Sequence, residues 1–271
     1  MDNLYDQLNK LSRLPNAYEE WTEYRKALTD YIIDSTEKSR SALIVGAGES
    51  NDLDLARLAV HFSSVTLLDC NTEAMEHALA RYGFTTDQIR CIQADLVGIR
   101  PDRYRKTADH VLNALRAGKT GSTVEDLFLR EVSESYRERT PDRIPEPCRW
   151  DHVICCGVHS QLFCMYMRMA GVYARNSLLD LERIEKKLRG YNDDLIPSVD
   201  KALILAARHS LVIGAEKERM GVAGGIEGAY QALCDPQLAR LPITDSTELV
   251  WNLEKTQGIS YKMEIRVYQT D

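Results

Sequence analysis

Three short segments combine residue types that can hold a nucleoside. The first is the apolar run Ala42-Leu43-Ile44-Val45 followed by Gly46-Ala47-Gly48-Glu49-Ser50. Such a run reads as a buried strand, and glycines at its exit let the backbone approach a ligand without Cβ contacts. The free N–H groups of the helix that follows suit a polar, nucleotide-like ligand. The same two glycines also serve a tight turn that packs with no ligand. The second segment is Asp69, which ends the run Val65–Leu68 and lies 23 positions beyond Gly46. A carboxylate there can accept both hydrogen bonds of a ribose diol, or it can cap a helix starting near Thr72. The third is Gln93-Ala94-Asp95-Leu96 after Ile89–Ile92. Its acid can accept from an exocyclic amine while a backbone N–H serves an adenine ring nitrogen. Three such features at successive strand ends converge, because open α/β sheets bind ligands at the carboxyl ends of their strands.

Proton chemistry has one candidate. His159, in the segment Asp151 to Leu162 reading DHVICCGVHSQL, has the pKa class of a general base near neutrality. The alternative is a satisfied structural histidine. No histidine has a carboxylate or cysteine partner at metal-ligand spacing, so no metal is expected. The seven cysteines are odd in number and form no CxxC pair, and Cys155 and Cys156 lie in an apolar run. They read as reduced core residues of a reducing compartment. Gly221, Gly224, Gly225 and Gly228 form a flexible segment, which is either a loop over the substrate or a plain surface loop.

The elements that position these residues follow from hydrophobic period. Residues 1 to 38 read as an N-terminal helical cap, with Trp21, Tyr24, Leu28, Tyr31 and Ile32 in one apolar stripe. From Ser41 short apolar runs alternate with amphipathic helices, the pattern of a parallel sheet with crossover helices. Leu55, Leu58, Ala59 and Phe62 face inward from one helix, and Met75, Ala78, Leu79 and Tyr82 from the next. Residues 98 to 147 interrupt the rhythm with two polar helices, near 107 to 117 and 124 to 137, and a coil containing Pro141, Pro145 and Pro147. Ser122 and Glu125 stand at capping-box spacing before the second helix. This insertion is either a lid or partner surface or a helical layer. Strand Val153–Cys156 follows, then a helix marked by Leu162, Met165, Tyr166, Met169 and Tyr173. A further helix stops at Gly190, another starts near Pro197, and strand Leu211–Ala215 comes next. Leu249–Leu253 and Tyr261–Tyr268, joined by Lys255-Thr256-Gln257-Gly258, form an antiparallel hairpin.

With these residues in place, the chain resembles the class I S-adenosylmethionine-dependent methyltransferases over about residues 40 to 217 and the C-terminal hairpin. The resemblance implies an α/β, Rossmann-like, mostly parallel sheet of seven strands completed by that hairpin, within one domain at 39–271. Gly46-Ala47-Gly48 is similar to the family's first motif, Asp69 to its ribose-binding acid and Ala94-Asp95 to its adenine contact. Asp151 to Leu162 looks like its fourth motif, which ends beside the methyl donor. The implied cofactor contacts are therefore Gly46, Ala47, Gly48 and Glu49, then Asp69 and Cys70, then Ala94, Asp95 and Leu96, then Cys156 and Gly157. Two departures stand out: Ile44 replaces an acid two residues before the first glycine, and Ser50 a third glycine. Glu49, Asn51 or Asp52 can stand in for the missing acid.

The implied activity is methyl transfer from S-adenosylmethionine, with S-adenosylhomocysteine as product, to an acceptor the sequence does not name. Two other readings stay open. One is an NAD(P)-dependent oxidoreductase, whose fingerprint Ser50 and Asn51 disrupt. The other is a non-catalytic module that keeps the fold and the cofactor.

Bulk properties narrow the partners. The 271 residues are 44% hydrophobic, enough for a packed core. A formal charge of -7 argues against nucleic acid and leaves a small molecule as the favoured acceptor. No stretch approaches the roughly 20 apolar residues of a membrane span, and the N-terminus lacks an apolar signal region. A cytoplasmic enzyme is the expectation.

Overall fold

The computed structural model describes residues 3–10, 16–144, 149–177, 179–220, 230–255 and 258–270. The expectations placed on Pro145, Pro147, Cys148, Thr256, Gln257 and the glycines at 221, 224, 225 and 228 lie outside them. Contacts divide the chain into two compact units. Residues 1–15, 97–142 and 161–195 form one, and residues 16–96, 143–160 and 196–271 the other.

The larger unit is built on a sheet of seven strands, counted among the described residues: β1 (Ser41–Val45), β2 (Ser64–Asp69), β3 (Arg90–Gln93), β4 (Trp150–Cys156), β5 (Ala207–Met220), β6 (Ile243–Glu254) and β7 (Ile259–Gln269). Their order is β3-β2-β1-β4-β5-β7-β6. The pairs from β3 to β5 are parallel, and β7 runs antiparallel to both β5 and β6. This is the mostly parallel sheet with a terminal hairpin that the alternation predicts. Central strands are covered on both faces, so Ala42–Val45 of β1 and Val153–Cys156 of β4 are apolar, and Leu43, Val153 and Ile154 are fully buried. Each such side chain contributes about 1.5–3 kcal/mol of burial. Asp151 ties the start of β1 to β4, its Oδ2 accepting from the Ser41 N–H at 2.9 Å and hydroxyl at 2.8 Å.

Helices α4 (Leu55–His61) and α5 (Thr72–Tyr82) follow β1 and β2, and bury Leu55, Leu58, Met75, Ala78 and Leu79 as their periodicity requires. Helices α2 (Ala17–Glu20) and α3 (Thr22–Ser35) also belong to this unit. They pack on β6, where Trp21 meets Trp251 edge-on at 4.8 Å and Tyr24 stacks on Trp251 at 5.5 Å.

The second unit is helical: α1 (Leu4–Lys10), α6 (Pro101–Arg116), α7 (Ser122–Arg137), α8 (Cys164–Ser177) and the first part of α9 (Leu181–Ala206). Its core gathers Tyr104, Val111, Val124, Phe128, Tyr166 and Met169. The N-terminal helices therefore do not act as one cap over 1–38. Helix α1 joins α6 through the Tyr5–Tyr104 stack and the Asp6–Arg105 ion pair, whereas α3 stays with the sheet.

Local signals mislead at four predicted helix ends. Neither Gly190 nor Pro197 breaks α9, which continues through both, because Ile184, Leu188, Leu195, Val199 and Leu203 keep one buried stripe along it. Tertiary packing outweighs two unfavourable propensities. Helix α6 starts at Pro101, earlier than its polar sequence suggests, with proline in the first turn. Ser122 caps nothing: Gly121 is the N-cap of α7, and Glu125 turns to the Arg183 guanidinium and the Asp180 N–H instead.

Candidate functional site

The turn after β1 is stitched to β2. Gly46 N–H and Ala47 N–H both donate to the Leu68 carbonyl, at 2.8 and 3.2 Å. Gly46 has φ +70, and a Cβ there would stand 2.3 Å from Val158 Cγ2. Glycine is required at this point by both backbone and packing. Gly48, at φ +46, differs: around its missing Cβ the nearest atoms are Asp69 Oδ2 and the Gly46 carbonyl oxygen, both at 4.0 Å. This leaves room beside a carboxylate.

That carboxylate is held on both sides. Asp69 Oδ2 accepts from Gly48 N–H at 2.9 Å, and Oδ1 from Asn71 N–H at 2.8 Å. The Asp69 carbonyl accepts from Ala94 N–H at 3.1 Å, which brings the third segment alongside the second. Asn71, not Asp69, caps α5, its side chain accepting from Ala74 N–H at 3.1 Å. The helix-cap alternative for Asp69 is thereby removed. Each carboxylate oxygen retains a lone pair after its backbone bond, so a diol can still be accepted.

The helix terminus offers less than expected. Helix α4 starts only at Leu55, and its N-cap Asp54 takes the N–H groups of Ala56 and Arg57. A second anion has little to bind there. The intervening loop 49–53 is gripped from outside. Arg25 donates to the Asn51 carbonyl at 2.9 Å, Arg81 to the Glu49 carbonyl at 3.0 Å and Asn51 Oδ1 at 2.7 Å, and Tyr82 to the Leu53 carbonyl at 2.9 Å. Glu49 turns toward Arg81 and His77. Burial, outweighing the Arg25 charge, pushes the Asp52 carboxyl up to about 6. Neither Arg25 nor Arg81 stands out in the sequence, because each sits within a helical pattern and acts on a loop far along the chain.

At the end of β4, Cys156 is aligned with Gly214 of β5. Gly157, at φ +67, lies under the Trp251 ring, 3.5 Å from where its Cβ would be. His159 Nε2 bonds Asp200 Oδ1 at 2.8 Å, with the two residues 1% and 0% exposed. Burial raises the Asp200 carboxyl even against the neighbouring imidazole, which favours its charged form. Ser160 donates to Glu216 Oε1 at 2.7 Å. The fourth segment is thus pinned by one acid from α9 and one from β5. Those partners lie 41 and 56 residues away, so no local spacing could reveal them.

Gly46, Ala47, Gly48, Asp69, Cys70, Ala94, Asp95, Leu96, Cys156 and Gly157 therefore lie at or just past the carboxyl ends of four adjacent strands, β3-β2-β1-β4. Cys70 is exposed, and its carbonyl accepts from Gln93 Nε2 at 3.3 Å. Cys70, Cys91, Cys155, Cys156, Cys164 and Cys234 are free thiols. Among the described residues, no three His, Cys, Asp or Glu side chains gather as a metal site, and no helix is long and apolar enough to cross a membrane.

No protein-family model and no curated protein sequence matches the chain. Among solved structures, it is similar to N-methyltransferase NodS from Bradyrhizobium japonicum WM9 in complex with S-adenosyl-L-homocysteine. The TM-score is 0.51 at 11% identity, covering 99% of this chain and 98% of that one. The chain has the class I methyltransferase fold. A SAM-dependent methyltransferase from Aquifex aeolicus also aligns over 100% of both chains, at 11% identity and a TM-score of 0.46.

Local geometry gives a reason for both departures noted in the first segment. Ser50, in place of the third glycine, adopts φ +48 and is 1% exposed. The backbone there has a left-handed conformation that glycine adopts more readily. Its hydroxyl donates to the Ala47 carbonyl at 3.2 Å, a local bond that offsets part of the strain. Ile44 is buried within β1 at 2% exposure, where a carboxylate would have no water.

Proposed function

We propose that this chain binds S-adenosylmethionine and transfers its methyl group to a small-molecule acceptor, leaving S-adenosylhomocysteine. The observation that carries the reading is the space over Gly48 beside the doubly anchored Asp69 carboxylate. In this reading Asp69 accepts from the ribose diol, and Ala94, Asp95 and Leu96 line the adenine. Gly46 to Gly48 admit the backbone side of the ligand, and Asp52 meets the methionine ammonium. Glu49 and Cys70 border the two ends of the ribose, and Cys156 and Gly157 border the sulfur end. When bound, the cofactor supplies a methyl group already activated on a sulfonium.

The chain's own residues orient the acceptor and exclude water, and proximity supplies most of the acceleration. His159 serves as a positioning residue, since its pairing with Asp200 under full burial supports a fixed ring rather than a base that exchanges protons with solvent. The formal charge of -7 supports a small molecule over nucleic acid as acceptor, and the free thiols support a reducing, cytoplasmic setting.

Calorimetric titration with S-adenosylmethionine, S-adenosylhomocysteine and NAD tests the reading. Binding of the first two and not of NAD is expected, and binding of NAD alone overturns it. Asp69→Asn keeps the shape and removes the charge, and is expected to weaken the cofactor about tenfold, the worth of a charge-assisted bond.

A further inference from the structure

Strand β5 runs past the end of β4: its last partner there is Cys156 opposite Gly214, and Glu216 follows two residues later on the same face. Gly214 confirms the shared face, because a Cβ on it would stand 2.9 Å from Cys156 Sγ. A glutamate at this point interrupts an apolar run, and it is 3% exposed. Its Oε1 is oriented by the Ser160 hydroxyl at 2.7 Å. Tyr24 approaches from α3, 4% exposed, its ring stacked on Trp251, and its pKa is raised by burial and by the charges of Cys156, Asp52 and Glu216. Burial, with these neighbours, keeps the phenol protonated. Trp251, stacked on Tyr24, closes over Gly157 and supplies an aromatic wall.

A buried carboxylate beside two stacked aromatic rings, one of them a phenol, matches a particular ligand chemistry. The carboxylate accepts from N–H, the rings favour a cation, and their faces cover an apolar substituent. We infer that the methyl acceptor is a primary or secondary amine seated with its nitrogen at Glu216 and Tyr24. This inference rests on the cofactor reading above. In the step, the ammonium gives one proton to the Glu216 carboxylate, which holds it until the methylated product leaves. The freed nitrogen lone pair forms the N–C bond to the methyl carbon as the C–S bond breaks, its electron pair staying on sulfur. The sulfonium becomes a neutral thioether and the nitrogen takes the positive charge.

The test reads binding, not turnover. Wild-type protein is first titrated with S-adenosylhomocysteine, and the loaded protein then with benzylamine and with benzyl alcohol. Failure of S-adenosylhomocysteine to bind sinks the cofactor reading, and the amine inference with it. With the nucleoside bound, benzylamine is expected to bind about tenfold more tightly than the alcohol. Glu216→Gln, which still accepts from Ser160, is expected to abolish that preference while leaving S-adenosylhomocysteine affinity unchanged. Tyr24→Phe, which keeps the ring on Trp251, should weaken benzylamine about fivefold. Absence of benzylamine binding, equal affinity for the alcohol, or a preference that survives Glu216→Gln overturns the inference. So does a Glu216→Gln variant that loses S-adenosylhomocysteine as well, since Glu216 would then serve the cofactor.

Discussion

Three glycines with left-handed backbone permit a controlled test of the site. Gly83 ends α5 at φ +71 with open space where a methyl would project, Gly48 has φ +46 with 4.0 Å of clearance, and Gly46 has φ +70 with Val158 at 2.3 Å. Alanine at any of the three meets the backbone penalty of about 1–2 kcal/mol. For Gly83→Ala and Gly48→Ala that is nearly the whole effect, and denaturant midpoints should show similar losses. Gly46→Ala adds a contact more than 1 Å inside the usual carbon separation of about 3.5 Å. Overpacking of this kind costs about 1–3 kcal/mol, for a total of about 2–5 kcal/mol. Calorimetry with S-adenosylmethionine then separates the first pair. Gly83→Ala should bind as wild type does, while the Gly48→Ala methyl intrudes beside Asp69 and should weaken binding about tenfold or more, roughly 1.4 kcal/mol. Wild-type affinity in folded Gly48→Ala would refute the placement of the ligand over that glycine. Equal stability of Gly46→Ala and Gly83→Ala would refute the packing argument.

Ser50→Gly removes the left-handed strain and also the hydroxyl bond to Ala47, so its unfolding free energy should stay within about 1 kcal/mol of wild type. Asp52 is an acid whose folded pKa, about 6, stands above its ordinary 3.8. The folded state therefore binds more protons than the unfolded chain between these values, and the Asp52 contribution declines as pH rises from 3.8 to about 6. Asp52→Asn should flatten that decline in urea unfolding curves, and an unchanged slope would show that Asp52 is well hydrated. His159→Ala strands Asp200 in a dry interior and should cost about 3 kcal/mol or more in thermal or denaturant unfolding. The paired change of His159 and Asp200 to leucine should recover most of it, as expected if the pair is structural.

The strands from β1 to β4 and the turn at Gly46 are readable in the sequence because both depend on local information. An apolar run of four or five residues must be covered on both faces, and glycines at its end announce backbone that a side chain would hinder. Helix α9 is not readable in the same way, since Gly190 reads as a stop and Pro197 as a fresh start, and a continuous buried stripe overrules both. The capping pattern at Ser122 misleads similarly, because Glu125 finds a stronger partner in Arg183. Asp69 belongs to the strand end that its spacing predicts, but its two backbone donors and the displacement of the cap to Asn71 emerge only from the folded geometry. The acids Asp200 and Glu216 carry no motif of their own. They matter because the sheet and α9 deliver them to a loop dozens of residues earlier.

The contact between Trp21 and Trp251 gives the protein an internal optical reporter. Of the chain's three tryptophans, Trp150 is buried at the start of β4 and donates to Thr66, while the other two form an edge-on pair with Trp251 lying over Gly157. Excitation shared by that pair is sensitive to whatever changes the polarity around Gly157. Emission of the unlabelled chain can therefore register occupancy of the strand ends, and Trp150 supplies a constant background against which the change is read.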